Sequence, residues 1–210
     1  MSIAESPLLG PMRKSMGNFT VYTLNGMNIV RSKAFKHNDA KTEKQLIMRT
    51  RMTLFGKMYR TFNSIICLGF PERDERKSPQ NMFVSVNFTT AFVMVDKTPV
   101  ISYPLMMLSK GSLPKVQVLD AGIDGDGITI RYGADLSFKG LHATDEMVAC
   151  ALLKSGPLLI TRQIRGHHNP GTIQLKYPDL QADEVTCCYV FSRSGDGKKA
   201  SDTVFVEVDG

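Results

Sequence analysis

Four histidines, four cysteines and a handful of clustered acids are the groups in this 210-residue chain that could carry acid–base, nucleophilic or metal chemistry. His167 and His168 stand beside Arg165, in a turn completed by Asn169, Pro170 and Gly171. Adjacent histidines project in different directions and cannot readily close on one ion, and no carboxylate lies within local reach, so an exposed loop is expected. His37 and His142 are isolated in polar segments. Asp120, Asp124 and Asp126 sit in DAGIDGDG, where a calcium loop would need a D-x-D-x-D-G start and a glutamate at its end. Both are missing, and a hairpin turn is the better reading. No Ser, Cys or Thr has a base placed locally, and the glycine-rich pieces match neither the P-loop nor the dinucleotide fingerprint. The spacing therefore predicts no catalytic residue, no metal site and no cofactor, and the expectation is that the chain is not an enzyme.

The cysteines give the same answer. Cys67, Cys150, Cys187 and Cys188 contain no C-x-x-C pair, and all four lie in apolar surroundings, which suits buried free thiols in a reducing compartment. The stretch MSIAESPLLGPMRKSMG has no continuous apolar core of the secretory kind, and no apolar run reaches the roughly 20 residues that span a bilayer. Cytoplasm, or a particle assembled there, is the expected location.

Charge is the next candidate for function. The net charge is +6, but it is uneven: residues 1 to 62 hold eleven Lys and Arg against three acids, whereas residues 81 to 210 hold twelve against fourteen. The excess belongs to the first third of the chain. It fits a polyanionic partner, an acidic protein partner, or a solvated face.

These groups need elements to position them. From Thr42 the chain reads TEKQLIMRTRMTLFGKMYRTFNSII, with a period of 3.6 residues and a capping-box spacing between Thr42 and Gln45. Ile47, Leu54, Phe55, Met58, Phe62, Ile65 and Ile66 share a broad apolar face, edged by Met48, Met52 and Tyr59. Arg49, Lys57 and Arg60 fall on the opposite side and are the candidate nucleic-acid contacts. Arg51 projects into the apolar arc, where its stem either snorkels to the helix rim or meets an acid across an interface. Before the helix, Asn25-Gly26 between two alternating runs predicts a type I′ hairpin of about 18–24 and 27–33, preceded by an arm punctuated by Pro7, Gly10, Pro11 and Gly17. Such a hairpin presents an unpaired edge and too much apolar surface for both faces to stay wet. Either the long helix of the same chain covers that surface or a partner does; Val21, Leu24 and Ile29, with Arg51, are the candidate contacts to a protein partner or a second copy.

After the helix, PERDERKSPQ is an exposed loop, and Ser78-Pro79 opens a second helix despite the β-branched and aromatic residues that follow. LMMLSKGSLP reads as a short apolar strand. From Lys115 the chain becomes seven short candidate strands at regular spacing: VQVLDAG, GITIRYG, MVACALLK, LLITRQI, TIQLKYP, VTCCYVFS and DTVFVEV. That pattern predicts an immunoglobulin- or fibronectin-like β-sandwich over 115–210, following a hairpin-and-helix region over 1–114, in an α+β fold that is mainly β. Val118, Ile128, Ile130, Val148, Leu152, Ile173, Leu175, Tyr189, Phe191 and Phe205 are its candidate core.

Several of these segments carry a resemblance. G-N-x-x-V-Y-x-x-x-G-x-x-I-V-R-S at Gly17–Ser32, T-x-x-Q-x-x-x-R at Thr42–Arg49, L-G-F at Leu68–Phe70, S-K-G-S-L at Ser109–Leu113 and S-G-D-G-K-K-A-S-D-T at Ser194–Thr203 resemble an uncharacterised Bacteroidetes family known as a domain of unknown function. The chain departs from that pattern before the hairpin, where Arg13, Lys14 and Ser15 replace its second glycine and lysine. The resemblance implies a layout of hairpin, helices and β-sandwich, and no activity. The hairpin with T-x-x-Q-x-x-x-R is also similar to short proteins of phage structural modules. Together these readings lead to a structural or assembly protein acting through protein–protein contacts, for example in a phage-like or multi-subunit particle. Nucleic-acid binding by the basic third is the alternative, and an enzyme the third. Neither a membrane nor a small-molecule partner is indicated.

Overall fold

The computed structural model describes residues 2–3, 14–24, 26–33, 39, 41–74, 76–124, 127–133, 140–167 and 170–208. They fall into two units, Met1–Glu43 and Lys44–Gly210. The fold is α+β and mainly strand, with two α-helices and several antiparallel sheets.

The first unit is a four-stranded antiparallel sheet. Its strands are β1 (Ser2–Ile3), β2 (Lys14–Met16), β3 (Phe19–Leu24) and β4 (Met27–Ser32), in the order β1-β4-β3-β2. Leu24 pairs with Met27 across a two-residue loop in which Gly26 takes φ +78°, as a type I′ turn requires; Asn25 lies outside the described residues. The expected open edge is corrected here. Backbone donors and acceptors along a hairpin edge need partners, and the preceding arm supplies them: β2 pairs with β3, and β1 with β4.

The second unit begins with α1 (Glu43–Gly69), whose first residue directly follows Thr42. It buries Phe55, Phe62, Ile65 and Ile66, with Leu54, Met58 and Tyr59 partly covered. Gly69 ends the helix for want of space: a Cβ there would overlap the Leu108 carbonyl, and the Gly69 carbonyl accepts from the Lys110 N–H at 3.0 Å. In α2 (Pro79–Asn87) the local capping signal outweighs β propensity. Ser78 takes extended dihedrals, and its hydroxyl accepts from the Asn81 N–H at 3.1 Å, with Pro79 in the first turn.

Strands β5 (Phe92–Val95) and β6 (Thr98–Ile101) form a separate two-stranded ribbon, turned by Asp96 and Lys97 at φ 46° and 64°. Seven further strands follow: β7 (Val118–Asp124), β8 (Gly127–Tyr132), β9 (Glu146–Leu153), β10 (Leu158–Ile164), β11 (Gly171–Lys176), β12 (Val185–Arg193) and β13 (Val204–Val206). They make two antiparallel sheets of order β10-β9-β12-β13 and β11-β8-β7. Strands β9 and β12 are buried on both faces. Met147, Ala149, Ala151, Leu153, Cys188 and Val190 share an apolar cluster with Ile128, Ile130, Ile173 and Leu175 of the three-stranded sheet. Val148, Cys150, Leu152, Tyr189 and Phe191, on the alternate positions, share a second cluster with the residues of α1 and α2. The composition boundary at 114/115 therefore falls inside the second unit.

The stretch expected as a strand, LMMLSKGSLP, is a 3₁₀ turn (Tyr103–Leu105) followed by irregular chain. Met106 and Leu108 are buried, so the apolar reading holds, but their neighbours' backbone groups bond to side chains instead of a ladder. The fully buried Asn87 amide accepts from the Met107 N–H at 2.7 Å and donates to the Met107 carbonyl at 2.8 Å and to the Phe83 carbonyl at 2.9 Å. Thr203 Oγ1 accepts from the N–H groups of Leu108 and Ser109 at 2.9 and 2.6 Å. Because the fully buried Asn87 satisfies both backbone groups of the half-buried Met107, Asn87→Ala is expected to lower stability by about 3 kcal/mol in urea unfolding. A loss below roughly 1 kcal/mol would mean that water replaces the amide.

Candidate interaction site

The basic residues chosen from the sequence lie where the helical period puts them. Arg49, Lys57 and Arg60 are exposed on α1, away from its buried stripe. Arg51 does not meet a carboxylate. Its guanidinium carbon lies 5.4 Å from the centre of the Phe92 ring, and Nη2 is 3.8 Å from the Met94 sulfur, with Nε buried and unbonded. Its place in the apolar arc is explained by stacking on the inner face of the β5–β6 ribbon. Of the hairpin residues, Val21 and Ile29 are buried while Leu24 is exposed.

The ribbon's outer face is not among the sites expected from the sequence. Register pairs Val93 with Val100 and Val95 with Thr98, so these four share one side. Val93, Val95 and Val100 are 49%, 51% and 47% exposed. The other side carries Phe92, Pro99 and Ile101, buried or partly buried, and Met94, which is exposed. A two-stranded ribbon with one solvated face normally alternates polar with apolar residues; this one is apolar on both. The signal was present as FVMV and TPVI, but Asp96-Lys97 is not a standard hairpin dipeptide, so the turn went unread.

Several groups with reactive chemistry are bonded or buried by their surroundings. An open cleft of about 620 Å³ is lined by Pro114, His142, Asp145, Ser194, Asp196 and Lys199 among others. Its Ser194 hydroxyl donates to Asp196 Oδ1 at 2.6 Å and accepts from the Lys199 N–H at 2.9 Å, which locks the turn. The bonds from Ser194 and from the Lys198 N–H hold the Asp196 carboxyl below its ordinary range, so it is a weaker base. Asp145 is buried and accepts from the His142 N–H at 2.8 Å. Among the described residues no three His, Cys, Asp or Glu side chains gather as a metal site; Asp126, His37 and His168 lie outside them.

Burial pushes the Cys187 thiol up to about 11, the Cys188 thiol to about 12 and the Cys150 thiol well above its ordinary value. Cys67 departs from the expected burial. It sits one residue beyond Ile66, about 100° further round the helix, and is exposed. The Tyr189 hydroxyl donates to the Tyr103 carbonyl at 2.9 Å, and burial raises its pKa as well.

No described helix is long and apolar enough to cross a membrane. Comparison with protein-family models, with curated proteins and with solved structures finds no significant match for the chain.

The thiols give a test with a definite sign. Unfolded thiols ionise near 9, whereas Cys187 and Cys188 stay neutral in the fold to about 11 and 12. Unfolding therefore releases protons in that window, and stability is expected to fall as pH rises from about 9 to about 12. Iodoacetamide at pH 8 should alkylate Cys67 alone until denaturant is added, as read by mass spectrometry.

Proposed function

We propose that the chain is a non-catalytic structural or assembly protein that acts through protein–protein contacts, with the outer face of the β5–β6 ribbon as a self-association surface. The observation that carries this reading is the half-exposed Val93, Val95 and Val100 on one strand face. A second copy is the favoured occupant because the face carries no charge, and the turn beside it places Asp96 next to Lys97. The buried thiols and the bonded Ser194 and Asp196 support the non-catalytic part.

For the fold we favour a fibronectin-like β-sandwich following a hairpin and helix. If β7 to β13 are lettered A to G, the sheets are E-B-A and D-C-F-G. The antibody constant arrangement differs only in the fourth strand, which there joins E instead of C. On this reading α1 and α2 are an addition that covers the outer face of C and F. Membership of the Bacteroidetes family, and the likeness to phage structural modules, stand as proposals on the motifs at Gly17–Ser32 and Thr42–Arg49.

Light scattering coupled to size-exclusion is expected to find an oligomer of the intact protein, and a folded monomer after Val93→Lys, Val95→Lys and Val100→Lys together. A monomer at high micromolar concentration in the unmodified protein would remove the assembly reading. The exposed stripe of Arg49, Lys57 and Arg60 favours nucleic-acid binding as a second reading. It would take precedence if DNA bound with nanomolar affinity, and if replacing all three by Ala reduced the salt dependence by roughly one ion per phosphate contact.

A further inference from the structure

Arg165 is the one cation among the described residues that is buried, at 4% exposure. Its backbone is firmly held just beyond β10: the N–H donates to the Asp145 carbonyl at 2.7 Å, and the carbonyl accepts from the Tyr132 hydroxyl at 3.4 Å. The guanidinium carbon lies 5.8 Å from the centre of the Tyr132 ring. That ring is fixed in turn by Gly171, the residue paired with Tyr132 across β8 and β11, because any Cβ there would strike it.

The head group itself is left without an acceptor. Nε is buried and unbonded, and the guanidinium makes no hydrogen bond or ion pair to any described residue. Asp145 is near enough to favour the charged form but accepts instead from the His142 N–H. Burial pulls the guanidinium pKa down, and Arg nevertheless stays charged at neutral pH. The Tyr132 ring and Asp145 offset part of the cost of burying this charge, but an Nε shut from water without an acceptor is left unsatisfied, and that points to something that completes it.

Arg165 lines a cavity of about 260 Å³, which has room for roughly eight molecules of water. Pro114, Val116 and Leu141 give it an apolar wall. Gln117 and Lys115 contribute the polar side, Lys115 being mostly exposed and 3.9 Å from Asp202. We propose that this cavity binds a small organic carboxylate, its two oxygens on the Arg165 guanidinium and its hydrocarbon part against Pro114, Val116 and Leu141. A planar two-oxygen anion matches the guanidinium fork. A phosphate would bring more charge and more oxygens than one fork and one exposed ammonium can satisfy, and would leave the apolar wall unused.

The experiment is thermal unfolding of the intact protein in sodium butyrate and sodium benzoate. Butyramide, benzamide, inorganic phosphate and sodium chloride of equal ionic strength serve as the comparison arms. A carboxylate is expected to raise Tm by about 5–10 °C at a hundredfold excess over its Kd, following a single-site dependence on concentration. The amides and chloride should have no such effect. Arg165→Met should abolish the shift, because it removes the group that would hold the carboxylate. Leu141→Phe should abolish the shift by filling the cavity, and it reads the same point if Arg165→Met does not fold. The proposal is overturned if no carboxylate exceeds chloride, if phosphate stabilises as strongly as the carboxylates, or if the shift survives either substitution.

Discussion

The central constraint of the second unit is that β9 and β12 are apolar through the middle of their paired length, from Met147 to Leu153 and from Cys187 to Phe191. A strand presents alternate residues to opposite faces, so a run such as MVACALL cannot turn a polar side to water. Each face must be covered by a different layer, and the two covers are of different kinds. The three-stranded sheet supplies Ile128, Ile130, Ile173 and Leu175 on one side, and helices supply aromatic and branched side chains on the other. Tyr189 shows how the second interface is built. Its ring meets Phe62 of α1 edge-on at 6.1 Å and Phe205 of β13 at 5.6 Å, while its hydroxyl reaches the Tyr103 carbonyl. The ring buries apolar area, and the one polar atom is satisfied.

Covering the sheet with helices creates a second problem, because the connecting chain must pass through buried space without a strand partner. Residues 106–113 run beside residues 200–203 with a single parallel bridge, at Leu113 and Ser201, and side chains supply most of what a ladder would. Asn87 holds Met107, and Thr203 holds Leu108 and Ser109. The Ser109 hydroxyl donates to the Ser201 carbonyl at 2.8 Å, and Glu72 accepts from the N–H groups of Ser112 and Ala200 at 2.8 and 3.2 Å. Each pin joins segments distant in sequence. The overlap at Gly69 belongs to the same seam: the helix end and this chain approach so closely that no side chain fits between them.

How much of this could be read from the sequence follows from which forces are local. The α1 stripe was legible because 3.6 periodicity is written in consecutive residues, and α2 because Ser78 and Pro79 cap it within one turn. The strands from Val118 onward were legible through spacing. Their division between two cores was not, since alternation in β9 and β12 offers no polar face to orient them. Val148 and Ile128 read alike as core residues, yet they serve opposite sides of one sheet. The 106–113 segment was misread because apolar composition reports burial, and burial does not require a ladder when Asn87 and Thr203 are nearby in space. Arg165 was seen only as the neighbour of two histidines. Nothing in R-G-H-H states that its side chain turns inward over Tyr132.

The distribution of burial also bears on function. Burial raises the thiol pKa at Cys150, Cys187 and Cys188, and turn bonds hold Ser194 and Asp196, whereas Cys67 is exposed. Apolar side chains that could have been buried are instead left outside on β5 and β6. Burying three valines would contribute several kcal/mol, and polar replacements on a solvated strand are easily accommodated. The ribbon is nevertheless firmly tied from behind: Phe92 packs edge-on against Phe55 at 4.9 Å, and Arg51 stacks on its ring. A rigid back and an uncovered apolar front leave little side-chain entropy to be lost, which is what the proposed contact surface requires.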